Sequence, residues 1–430
     1  LKNRTFFPAW GILFLVILVL VIRTGRELRS LSRTLTIIGT VLFAMAVVRI
    51  GTFLIVHPDV ARANTDAMRR NAIAEFGAPI ALDRPAESPD IYYFIFDRYP
   101  SREVLRDFYQ YDNEPFLDKL RAAGFRVSDE AVANYPMTHL SLASSLNMNY
   151  LGPTYQGRLH YTPFVKRSLV VQTLKRAGYR YIHLGSWYEP TRTSPLADRN
   201  VKDPWMISEF GTALLATTPY HLFVPSNDRY RQGLFILDRM EQVRRERGPK
   251  FVFAHVLLPH PPYVFDRDGS RVSDRHGASR AEKENFLNQL EFLNGRIARI
   301  IESLMEDSRT PPIIILQGDE GPYLESIEKG ISVPEMWRKR AGILNAYHLP
   351  GGDTGLYDTI TPVNTFRLLF GRYFGAPLDL LEDRTYYWSS TKADGGMTEP
   401  YGSFPFIEIT ESLKSAAKGE RGPREEPGDR

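Results

Sequence analysis

The 430-residue sequence contains no cysteine. That excludes disulfides, thiolate metal sites and cysteine nucleophiles together. Histidine is scarce, at nine residues. A marked excess of one charge is also missing: 54 basic and 50 acidic residues leave a net +4, which gives no basis for nucleic-acid binding. No internal repeat is evident, and the chain opens on Leu1 rather than Met, as a fragment or a processed chain would. What is present fits a globular body: 43% hydrophobic and 24% charged residues, with length for one large domain plus extras.

Two apolar runs stand at the start. Phe6 to Ile22 and Leu35 to Val56 are each close to the roughly 20 residues that cross a bilayer. The first also resembles a signal-peptide core, but no small-residue cleavage site follows it. A transmembrane helical hairpin is the expectation for residues 1–58. Between the runs lie Arg23, Arg26, Arg29 and Arg33, opposed only by Glu27, so the positive-inside rule places that turn in the cytoplasm. Lys2 and Arg4 pull weakly the other way. Everything after Val56 is then extracytoplasmic, with a linker over 59–88, a soluble domain over 89–413 and a disordered Gly/Pro/Glu/Arg-rich tail over 414–430.

Within that domain, helix-spaced segments alternate with short unbroken apolar runs. The pattern predicts an α/β fold: a mostly parallel central sheet with helices on both faces. Ile91 to Phe96 stops at Asp97. Phe251 to Leu258 stops at Pro259-His260. Ile313 to Gln317 stops at Gly318-Asp319-Glu320. In open α/β sheets the carboxyl ends of the strands are where ligands bind. Each residue also has a local reading: Asp97 or Thr138 as a cap, Asp319 as a turn residue, His260 packed between prolines. His255, in mid-strand, reads as a satisfied core residue.

Three carboxylates at one edge repel each other unless a cation joins them. Asp97, Asp319 and Glu320 are therefore candidate metal ligands. Thr138 opens a helix after Pro136 and offers a hydroxyl that a metal would activate. His260 is a candidate for binding the anion or protonating the leaving oxygen.

These segments, with Tyr111-Asp-Asn113-Glu-Pro-Phe116, Gly185-Ser-Trp187 to Asp198 and Thr361-Pro-Val-Asn364, resemble the alkaline phosphatase superfamily. The resemblance is to its membrane-anchored sulfatase-like proteins, relatives of phosphoglycerol and phosphoethanolamine transferases, and runs from about Asp90 to Trp388. It implies that Asp97, Thr138, Asp319 and Glu320 hold a metal, that Thr138 is the nucleophile carrying a phospho intermediate, and that His260 is a substrate-side residue. Glu320 departs from the superfamily's usual Asp-His pair. It makes the donor set all oxygen, which favours one divalent cation, Mn²⁺ ahead of Mg²⁺, Ca²⁺ or Zn²⁺. The Cys or Ser followed by x-Pro-x-Arg that formylglycine sulfatases mature is absent. The expected function is a metal-dependent phosphoryl or phosphodiester transferase or hydrolase acting on an envelope lipid or glycan. The alternative is an inactive binding or structural protein on the same fold.

Overall fold

The computed structural model describes residues 29–56, 76–83, 88–156, 158–206, 228–272, 281–306, 310–324, 331–352, 355–376, 378–388 and 404–417, with a few positions between 12 and 23. The chain divides into two units, Leu1–Asn64 and Thr65–Arg430. Most of the first apolar run lies outside the described residues, as does most of the linker expected over 59–88.

In the first unit, helix α1 (Arg29–Val56) carries an 18-residue stretch, Ser32–Arg49, of mean hydropathy 1.4 with none of it buried. It is long and apolar enough to cross a membrane. The hydroxyls of Thr34, Thr36, Thr40 and Thr52 each donate to a carbonyl four residues back. That satisfies within the helix the polar groups a lipid environment would strand.

The second unit is built on a seven-stranded sheet of order β2-β8-β7-β1-β6-β4-β5. The strands are β1 (Ile91–Phe96), β2 (Arg126–Val127), β4 (Arg180–Leu184), β5 (Arg199–Val201), β6 (Lys250–Val256), β7 (Ile313–Gly318) and β8 (Asn345–His348). β3 (Thr154–Tyr155), β9 (Tyr386–Trp388) and β10 (Phe404–Glu408) form a separate small sheet. β7, β1, β6, β4 and β5 run parallel; β8 and β2 continue antiparallel at one edge. The mostly parallel sheet expected from the sequence is thus present.

Strand β1 explains the layering. All six residues are buried. Ile91, Tyr93 and Ile95 enter one apolar cluster, and Tyr92, Phe94 and Phe96 the other. Side chains alternate along a strand, so a run buried on both faces must be apolar throughout. Helices α2 (Arg102–Tyr109), α3 (Glu114–Ala122), α7 (Arg229–Gln242) and α8 (Glu282–Met305) cover the face of Tyr92. Helices α4 (Thr138–Ser145), α5 (Arg158–Lys166), α6 (Leu169–Arg176) and α10 (Pro362–Phe374) cover the face of Tyr93.

Three boundaries differ from the sequence reading. Arg340 to Leu349 reads from the sequence as a strand, but only β8 forms within it, because Ser332 and Glu335 form a capping box that starts α9 (Val333–Ala341) upstream. Part of the expected linker packs on the domain: Phe76 meets Phe164 edge-on, and the Asp83 amide bonds the Phe374 carbonyl at 2.9 Å. Helix α11 (Thr410–Ala417) carries order past residue 414, anchored by buried Ile409 and Leu413; residues 418–430 lie outside the described residues.

Candidate metal centre and active site

Register places the site. Phe96 stands opposite Val256 in β6 and Gly318 in β7. Asp97 and Asp319, each one residue further on, therefore sit side by side at the carboxyl edge. Ile95 stands opposite His255 and Gln317. Residues two apart share a face, so Asp97, His255 and Asp319 all point to the side covered by α4. His255 Nε2 lies 3.7 Å from Asp97 Oδ2 and 3.7 Å from Asp319 Oδ2. One donor atom from each of the three falls within 4.8 Å of the others.

Two features bring the backbone in. Arg98 takes a left-handed φ of 62°, which turns its N–H onto Asp319 Oδ1 at 2.9 Å. Gly318 and Gly321 flank the carboxylates. A Cβ on Gly318 would stand 2.4 Å from the Tyr99 carbonyl oxygen, and one on Gly321 2.1 Å from that of Lys339. Both glycines allow neighbouring chain to pass closer than any side chain permits.

Thr138 is the first residue of α4, half-buried, with Met137 as an extended cap. Its hydroxyl is among the groups that hold the Asp319 carboxyl below its usual range. The first N–H groups of a helix have no partner inside it, so Thr138 combines a hydroxyl near the carboxylates with an anion-attracting terminus.

The electrostatics are those of a site built for positive charge. Burial pushes Asp97 up, toward about 7, and the Asp319 charge adds to the effect. Burial would raise Asp319 as well, but the His255 ring, the Arg98 N–H and the Thr138 hydroxyl hold it below the usual range. Burial pushes Glu320 up to about 8 against the pull of Arg98. Asp97 Oδ1, His255 Nε2 and Asp319 Oδ2 are buried with no hydrogen-bond partner. Such atoms are costly unless something coordinates them, and two carboxylates with an imidazole suit a divalent cation. The three residues therefore fit a metal.

The structure brings Asp97, Thr138 and Asp319 together. Glu320 lies next to them but outside the close group; its Oε1 is 3.4 Å from Arg98 Nε. His255 takes its place as third donor, so the expectation of a core histidine is corrected. The ring is fully buried, as a core residue would be, yet its Nε2 faces carboxylates rather than a hydrogen-bond partner. Its Nδ1 is 3.0 Å from the Thr191 hydroxyl, itself 2.8 Å from Ser186 Oγ. With a nitrogen in the set, the all-oxygen premise for Mn²⁺ does not hold.

His260 lies on the loop after β6, edge-on to Trp187 at 6.3 Å between ring centres. Burial, and then the charge of Arg98, lower its pKa to about 3. It is neutral near pH 7, and its Nδ1 contacts the Pro261 carbonyl. A carbonyl only accepts, so Nδ1 carries the hydrogen and Nε2 offers a lone pair. Asn113, Asp198 and Asn364 hold loops: they bond Tyr99 and Asn294, Lys175 and Tyr181, and Leu381 and Asp383 respectively.

No protein-family model and no curated protein matches this sequence. Solved structures do. The C-terminal periplasmic domain of EcEptC from Escherichia coli superposes with a TM-score of 0.52 at 12% identity, over 80% of this chain and 99% of that one. Its complex with zinc gives 0.53 at 11%, with the same coverage. The phosphonate monoester hydrolase of Agrobacterium radiobacter gives 0.47 at 12%, over 77% and 83%. This is the alkaline phosphatase-like fold. Within that fold, Asp97 and Asp319 follow the ends of two adjacent parallel strands.

Proposed function

We propose that this chain is a membrane-anchored, metal-dependent enzyme that transfers or hydrolyses a phosphoryl or phosphodiester group outside the cytoplasm. The observation that carries the reading is the trio of buried donor atoms on Asp97, His255 and Asp319 with no hydrogen-bond partner, at the strand ends near the start of α4 and Thr138. Asp97, His255 and Asp319 would hold one divalent cation. That cation would act as a Lewis acid, lowering the pKa of the Thr138 hydroxyl and drawing charge from the phosphoryl oxygens.

The chain's own groups do the rest. Thr138 Oγ forms a bond to phosphorus as the bond to the leaving oxygen breaks, giving a phosphothreonine. The proton that Thr138 gives up ends on the departing oxygen, which leaves as an alcohol. The N-terminus of α4 faces the anion. A neutral His260 presents Nε2 to accept a hydrogen bond from a substrate or acceptor hydroxyl. Water as acceptor gives hydrolysis; an alcohol gives transfer. Helix α1 favours an envelope lipid or glycan as substrate, because an anchored site samples what lies at that surface.

The donor set of one nitrogen and two carboxylate oxygens admits Zn²⁺ as readily as Mn²⁺. The test uses the full chain purified in detergent, with metal counted by plasma mass spectrometry and turnover followed on bis(4-nitrophenyl) phosphate. Roughly one divalent ion per chain and a turnover abolished by chelator are expected. Turnover that survives Thr138→Ala would rule out the nucleophile. A folded, inert chain indifferent to chelator would favour a binding role.

A further inference from the structure

Arg98 has a place in the site that the chemistry above leaves unused. It follows Asp97 directly, in a left-handed backbone conformation, and its guanidinium pairs with the carboxylate of Glu320. Its Nε meets Glu320 Oε1 at 3.4 Å, while its two terminal nitrogens make no hydrogen bond among the described residues. The Arg98 side chain keeps 19% of its surface exposed, against 6% for Glu320. Its charge acts on His260 and Tyr263 of the loop after β6 as well as on the carboxylates. His260 is neutral and presents a lone pair, which cannot meet the charge of an anion. A guanidinium with a free fork can: its two parallel N–H groups match two oxygens of a phosphoryl group.

Glu320 explains the aim. Its Oε2 is buried without a partner and Oε1 is committed to Arg98. The cation group closes through His255 without it. We propose that Arg98 binds the substrate's phosphoryl oxygens through its terminal nitrogens, and that Glu320 is the positioning residue that orients Arg98 rather than a ligand of the cation. The inference rests on the proposed phosphoryl chemistry for the identity of the anion.

The test uses the full chain in detergent, with two readouts beside turnover: bound metal per chain, and affinity for inorganic phosphate by calorimetry. Arg98→Gln is expected to keep wild-type metal and lose at least about tenfold in phosphate affinity. Glu320→Gln is expected to keep its metal and lose several-fold. Arg98→Lys keeps the charge but not the fork, and is expected to lose about tenfold even if Arg98→Gln fails to fold. Wild-type phosphate affinity in either folded Arg98 variant overturns the inference, as does metal lost from Glu320→Gln or a wild type that binds no phosphate. A wild type that binds phosphate through Arg98 but cleaves no phosphodiester sinks the proposed reaction and leaves this inference standing.

Discussion

His255 Nδ1 lies 3.0 Å from the buried Thr191 hydroxyl, and Nε2 faces Asp97 and Asp319. Partners of this kind orient a ligand and raise its basicity. Thr191→Val keeps the shape and removes the hydroxyl. Metal affinity should fall about 10–100-fold, read by competition with a chelating dye. His255→Ala should lose the metal under the same dialysis that leaves wild type loaded. Thr138→Ala should cut turnover at least about 1000-fold while retaining metal, and intact-mass analysis should find the phosphorylated chain only where Thr138 is present. Asp97 and Asp319 could be marked in the sequence because each is a carboxylate that closes an unbroken apolar strand, although a cap or a turn residue reads the same way. His255 could not. Between Ala254 and Val256 nothing marks it as polar-facing until the β1–β6 register is known. Arg98 was hidden for a different reason: its role depends on a backbone conformation that an arginine adopts rarely, and residue type does not report it.

At the scale of the element, strand β7 and its turn are the most constrained piece. Gln317 accepts from the Tyr93 hydroxyl at 2.6 Å and donates to Asn345 at 2.9 Å, while Tyr93 also reaches Ser145 at 3.3 Å. The last turn of α4 is thereby tied to β1 and β7, the strands that carry the two aspartates. Gly321→Ala would drive a methyl into the Lys339 carbonyl. A stability loss of about 1–3 kcal/mol is expected by urea titration, with weaker metal binding because Asp319 and Glu320 must shift. The strands themselves were readable, since runs buried on both faces leave an unbroken apolar signature. The helix over Val333–Ala341 was missed because its last turn is three consecutive basic residues, Arg338 to Arg340, just ahead of strand β8.

For the molecule as a whole, acid should be the more damaging direction. His183 is fully buried, its Nδ1 accepting from Tyr181 and its Nε2–H donating to the Thr191 carbonyl, each at 2.8 Å. Burial lowers its pKa from 6.5 to about 4. The unfolded chain takes up that proton first, so stability present above pH 6.5 is lost as pH falls toward 4, at up to about 1.4 kcal/mol per pH unit. Melting temperatures between pH 7 and 5 should fall less steeply in His183→Asn than in wild type. Helix α1 predicts a chain that stays with membranes after an alkaline wash. Its length and hydropathy were plain in the sequence; the hairpin partner expected before it lies mostly outside the described residues.

The strand order has a temporal corollary. Arg98 and Asp319 touch although 221 residues separate them, and β1 waits for β6 on one side and β7 on the other, made in that order. While the ribosome is still making the middle of the chain, Asp97 has no second carboxylate beside it and no imidazole. Ion capture is therefore a late event that waits for β7 to dock, and a nascent or truncated product ending before Asp319 would emerge without the means to retain the ion.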